Sequence, residues 1–135
     1  MTKTISLLGS TGSIGTQALE VVRNLRAQGE EVQVVALAAR SSVQALEAQA
    51  REFRPAVVAV FEEAAARSLR ESLADTGILV LAGMEGLCQA AAWETATTTL
   101  NAVVGMVGLQ PTLAAIRAGK TVALANNCLL YTSDA

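Results

Sequence analysis

Six short apolar runs, separated by stretches with helical spacing, predict an α/β domain built on a doubly wound, mainly parallel sheet of about six strands. Three observations carry that expectation. The runs are apolar almost throughout instead of alternating, as strands covered on both faces are. The intervening stretches repeat apolar residues every three or four positions, the mark of crossover helices. The first run passes directly into a glycine-rich turn that opens a helix, the kind of junction at which such sheets hold ligands.

The elements follow in order. The first strand is expected over 4–8, and the helix after the glycine turn carries Ile14, Ala18, Val21, Val22 and Leu25, with Gly29 as its C-terminal cap. A second strand over 32–38 leads to a helix with the stripe Val43, Leu46, Ala50 and Phe53, opened by the capping box Ser41-x-x-Gln44 and stopped by Pro55. The third strand is expected over 56–60. Glu62 and Glu63 then fall in the first turn of a helix, where the macrodipole favours acids, so they read as surface charges and not as a catalytic carboxylate pair. Gly77 stands at a cap position before a fourth strand over 78–81. Cys88 reads as a core residue of the next helix, and Trp93 with Thr95, Thr97, Thr98 and Thr99 as a helix end and a polar approach to a fifth strand over 100–104. Leu109, Leu113 and Ile116 form the last stripe, with Pro111 near its start and Gly119 after its end. Lys120 reads as a solvated cation at that helix end, before a sixth strand over 122–125.

Bulk properties narrow the function. A length of 135 residues with 52% hydrophobic and 16% charged content suits a single globular domain. A net charge of -2 offers no basic face for a run of phosphates, which argues against nucleic-acid binding. The apolar runs over 32–39 and 102–109 fall far short of the roughly 20 residues of a membrane helix, and the N-terminus shows no targeting segment, so a soluble, cytoplasmic protein is expected. There is no histidine, and the two cysteines, Cys88 and Cys128, form neither a disulfide framework nor a Cys/His zinc site. No catalytic residue and no metal ligand is therefore assigned; chemistry must come from a cofactor.

The richest site is Gly9-Ser10-Thr11-Gly12-Ser13-Ile14-Gly15, a G-x-x-G-x-x-G turn. Gly9 suits a tight turn, Gly12 keeps a Cβ away from a pyrophosphate, and Gly15 allows close packing of helix on sheet. The free N–H groups and positive end of the helix face the anion. An NAD site usually carries an acid at the end of the second strand, to hold the ribose 2′-hydroxyl. Here the strand runs out in Ala39-Arg40-Ser41-Ser42, and an arginine with two hydroxyls suits a 2′-phosphate, favouring NADPH over NADH.

Four stretches resemble the 1-deoxy-D-xylulose 5-phosphate reductoisomerases of non-mevalonate isoprenoid synthesis. They are 8–17 around the glycine turn, 34–39, Gln49-Ala50-Arg51-Glu52-Phe53-Arg54-Pro55, and 111–121 followed by Leu124-Ala125-Asn126. The resemblance implies a Rossmann-like domain over 1–126 in which Thr11, Gly12, Ser13 and Ile14 contact NADPH phosphates. Arg40, Ser41 and Ser42 would lie at the 2′-phosphate, Asn126 by the nicotinamide half, and Gly105 and Met106 along the same crevice. It also implies an oxidoreductase and isomerase that rearranges its sugar-phosphate substrate with a divalent metal, magnesium or manganese, and reduces the product with NADPH to 2-C-methyl-D-erythritol 4-phosphate. A homodimer is expected of the family, and the metal ligands and substrate loop belong to regions with no counterpart here.

Two departures stand out. Arg40-Ser41-Ser42 replaces the family's usual Gly, basic or small residue, Asn; and Asn127-Cys128 replaces the Lys-Glu that follows Ala-Asn. Residues 127–135 fit neither the family nor the preceding pattern and are expected to be a non-native tail, leaving a cofactor-holding fragment inactive alone. Two other readings share the pattern: a stand-alone NAD(P)-binding or sensing module, and the cofactor domain of another dehydrogenase such as a semialdehyde dehydrogenase.

Overall fold

The computed structural model describes residues 3–103, 109–124 and 129–131. Strands β1 (Lys3–Leu8), β2 (Val32–Ala39), β3 (Val57–Val60), β4 (Leu79–Ala82), β5 (Thr98–Asn101) and β6 (Thr121–Leu124) alternate with helices α1 (Ser13–Ala27), α2 (Val43–Phe53), α3 (Glu63–Ser72), α4 (Gly83–Ala91) and α5 (Leu109–Arg117). These strands form one parallel sheet in the order β4-β3-β2-β1-β5-β6. The expected doubly wound α/β domain is therefore present. A seventh strand that the sequence did not announce, β7 (Leu129–Tyr131), pairs antiparallel with β6.

The chain builds outward from β1 to β4, then returns to place β5 on the other side of β1. That reversal leaves a crevice between the carboxyl ends of β1 and β5, because the connections leaving them diverge. Helices α1, α2 and α3 cover one face through a cluster that includes Leu7, Leu19, Val22, Leu37, Leu46, Phe53 and Leu69. Helices α4 and α5 cover the other, where Leu8, Ala36, Val57, Leu87, Ala115 and Val122 meet. Parallel strands with both faces buried explain why the runs are apolar without alternation.

Several local expectations are corrected. The N-cap of α2 is Ser42, with no side-chain cap bond, so the Ser41-x-x-Gln44 box does not form. Pro55 does end this helix, through Arg54 in the left-handed conformation at φ 52°. In α1 the buried residues include Leu19 and Val22, whereas Ile14 and Val21 are exposed. In α5 the buried face is Pro111 and Ala115, not Leu109 and Leu113. Strand β5 begins two residues earlier than expected and takes in Thr98 and Thr99; Val104 lies outside the described residues. Buried Thr99 is satisfied by donating to the Ala91 carbonyl at 2.6 Å. Lys120 is buried rather than solvated, its ammonium donating to the Glu94 carbonyl at 3.2 Å. Cys88 is half-buried, and that burial raises its thiol pKa.

Candidate functional site

The glycine turn leaves β1 at the reversal point. Gly9 N–H and Ser10 N–H both donate to the Ala38 carbonyl of β2, at 2.7 and 3.0 Å, which pins the turn to the neighbouring strand. The three glycines do different work. Gly9 has φ +78°, and a Cβ there would sit 2.9 Å from the Ala102 carbonyl carbon. A Cβ on Gly15 would lie 2.0 Å from the Gly9 oxygen, so this glycine lets α1 start directly against the turn. A Cβ on Gly12 would meet nothing nearer than the Gly9 oxygen at 3.6 Å, so protein packing does not require a glycine there. The protein leaves room for a Cβ at this crevice-lining position, as one reserved for a close ligand would.

Gly12 is also the N-cap of α1, with extended geometry, no side-chain cap bond and no acid in the first turn. The helix thus presents uncapped N–H groups and its positive end next to the crevice. That crevice, about 240 Å³, is lined by Gly9, Thr11, Gly12, Arg40, Leu87, Ala102 and Val103. Arg40 is the charged side chain among them, reaching over from the end of β2. Glu62, at the N-cap of α3, sits 3.9 Å from its guanidinium, and both groups are exposed. A larger surface hollow, about 470 Å³, lies near Trp93 and Glu94. It belongs to the amino end of β5, the end of the sheet opposite the reversal crevice, and we assign the site to the smaller crevice.

Of the residues singled out in the sequence, Thr11, Gly12 and Arg40 line the crevice together. Ser13 and Ile14 open α1 beside it, and Ser41 and Ser42 follow Arg40 on the exposed loop into α2. Asn126, Gly105 and Met106 lie outside the described residues. Leu87, Ala102 and Val103 are lining residues that carry no chemical signature in the sequence. Ala102 and Val103 are set by β5 pairing beside β1, with Ala102 N–H donating to the Leu8 carbonyl at 2.9 Å. Leu87 comes from α4, on the opposite face of the sheet. Among the described residues no cluster of His, Cys, Asp and Glu could hold a metal ion.

A sequence model of 1-deoxy-D-xylulose 5-phosphate reductoisomerase matches residues 5–133. The chain belongs to this reductoisomerase family. It is 48% identical over 124 residues to the reductoisomerase of Desulfitobacterium hafniense, covering 92% of this chain and 32% of that one. It is 50% identical over 131 residues to the reductoisomerase of Agathobacter rectalis, covering 97% and 33%. The chain therefore spans about a third of the length of these curated relatives. Among solved structures, the Zymomonas mobilis reductoisomerase in complex with NADPH superposes with a TM-score of 0.83 at 38% identity, over 93% of this chain and 32% of that one. A reductoisomerase in complex with magnesium gives 0.84 at 35% identity, over 93% and 31%. Reductoisomerase membership agrees with the site: the uncapped glycine turn, the open space at Gly12 and the cation at the end of β2 together fit a phosphate-rich dinucleotide.

Proposed function

We propose that this chain is the N-terminal NADPH-binding part of a reductoisomerase, with residues 1–126 as the cofactor domain. The observation that carries the reading is Gly12, a helix N-cap that lines one crevice with Arg40 although protein packing leaves room for a Cβ there. Backbone N–H groups of Thr11, Ser13 and Ile14 at the start of α1 take the pyrophosphate, while Gly12, whose own N–H donates to the Gly9 carbonyl, lets it approach closely. Arg40 leaves Glu62 for the 2′-phosphate, a stronger and doubly charged partner, while Ser41 and Ser42 add neutral donors. Asn126 belongs with the nicotinamide half. NADPH when bound supplies a hydride; the residues here bind and orient it.

In the whole protein that hydride reduces the aldehyde formed from 1-deoxy-D-xylulose 5-phosphate, with a divalent metal held elsewhere in the longer relatives. Fosmidomycin and magnesium in one related structure support that assignment for the family. The alternative of a stand-alone cofactor-sensing module rests on the same crevice and would show the same binding.

Titration of the purified chain with NADPH and NADH, followed by nicotinamide fluorescence and thermal shift, tests the proposal. NADPH should bind at least about tenfold tighter than NADH, and Arg40→Ala should remove most of that difference, as loss of a charge-assisted phosphate contact does. A folded chain whose melting temperature neither cofactor changes would refute it.

A further inference from the structure

Helix α2 begins directly after Arg40-Ser41-Ser42 and, about 10 Å further along its axis, passes beside the glycine turn. There its inner face carries Gln49, a buried amide among apolar neighbours. Gln49 Nε2 donates to the Ser10 carbonyl at 2.9 Å, joining residues 39 positions apart. Gln49 Oε1 and Ser10 Oγ are also buried, and neither has a hydrogen-bond partner among the described residues. An apolar side chain would pack here without an unpaired oxygen of its own but would leave the buried Ser10 carbonyl without its donor, so apolar packing alone gives no reason for an amide. The bond to Ser10 does.

The Ser10 carbonyl and the Thr11 N–H belong to one planar trans peptide and point in opposite directions. Holding the carbonyl toward α2 therefore turns the Thr11 N–H away from α2, and Thr11 is one of the residues that line the crevice. The other end of the Ser10 residue is held by its N–H to Ala38. The same helix that grips the turn thus carries Arg40, Ser41 and Ser42 at its amino end.

We propose that Gln49 is a positioning residue that aims the Thr11 N–H at the pyrophosphate and fixes its distance from the Arg40 loop, thereby setting the preference for NADPH over NADH. This rests on the cofactor-binding reading above. NADH, which makes no demand on the Arg40 loop, feels the turn alone; NADPH needs both anchors in register.

The test compares dissociation constants for NADPH and NADH in the wild-type chain, Gln49→Met and Gln49→Glu. Methionine keeps the volume but cannot donate. The expected result is a loss of about tenfold for NADPH, a smaller loss for NADH, and so a reduced ratio between them, the size expected when one buried hydrogen bond is removed. Gln49→Glu can donate to Ser10 only when its carboxyl is protonated. Its NADPH:NADH ratio, taken relative to wild type at the same pH, should recover as pH falls, and this profile decides if Gln49→Met fails to fold. An unchanged ratio in Gln49→Met, or a pH-independent one in Gln49→Glu, overturns the proposal even if the melting temperature drops. A wild-type chain that binds neither cofactor would instead overturn the cofactor-binding reading, and this inference with it.

Discussion

Gly12 and Gly15 lie three positions apart in the same turn, yet they answer to different constraints. Gly15 is held by packing: a methyl group 2.0 Å from the Gly9 oxygen cannot be accommodated without moving α1 off the turn. Gly15→Ala should cost about 3 kcal/mol of stability, the range for overpacking a rigid site, measured by urea denaturation. Gly12 has room for the methyl and an ordinary φ of -78°, so Gly12→Ala should leave stability within about 0.5 kcal/mol while weakening NADPH at least about tenfold, measured by fluorescence titration. A Gly12→Ala chain that binds normally would remove the central support for the cofactor site. The packing role of Gly15 was legible in the sequence because its spacing and setting encode it. Leu87, Ala102 and Val103 were not, since an apolar side chain becomes part of a site only through where the fold delivers it. Gln49 stood in a quoted family stretch, but its partner is a backbone carbonyl, which no residue pattern reveals.

Among the helices, α1 and α2 are tied at the surface by Arg23, whose Nε and Nη2 donate to the two oxygens of Glu52 at 2.6 and 2.8 Å. Arg23 and Arg26 also lie over the Phe53 ring, at 5.3 and 5.2 Å. The hydrogen bond from Arg23 lowers the Glu52 pKa, so the pair's contribution is complete above the ordinary carboxylate range and fades as pH falls through the lowered value. Glu52→Gln should lower stability by about 0.5–1 kcal/mol at pH 7, and the gap to wild type should close in acid, checked by denaturation at both pH values. The order of the first six strands and the helices between them was readable from the periods of apolar residues, whereas β7 was not. The faces of α1 and α5 were readable in part: Val22, Ala18, Leu25 and Ile116 do pack on the core, whereas Ile14, Val21, Leu109 and Leu113 have the spacing of a core face but are exposed. Thr98 and Thr99 belong to β5 itself, and their polarity masks in the sequence the fit of β-branched side chains to a strand.

Across the whole molecule, α1 leaves an apolar groove of about 290 Å³ against the sheet, with Ile5, Val21, Leu25 and Leu100 on its walls and Val21 55% exposed. Helix α5 packs on β5 and β6 together with α4, on the other face of the sheet. Val21→Lys should reduce binding of a hydrophobic dye and leave NADPH affinity unchanged, since the groove lies under α1 and shares no lining residue with the crevice. A matching loss of cofactor affinity would mean the groove and crevice are coupled. The sheet order has a further consequence, in time rather than space. Thr11 and Arg40 are made early along the chain, but the opposite wall waits for β5 to slot beside β1, and Ile5 pairs with Thr98. Long-range closures of this kind come late in folding. A nascent polypeptide emerging from the ribosome therefore has its glycine turn long before it has a crevice, and on the proposed reading capture of the dinucleotide would mark the moment the sheet closes on its centre.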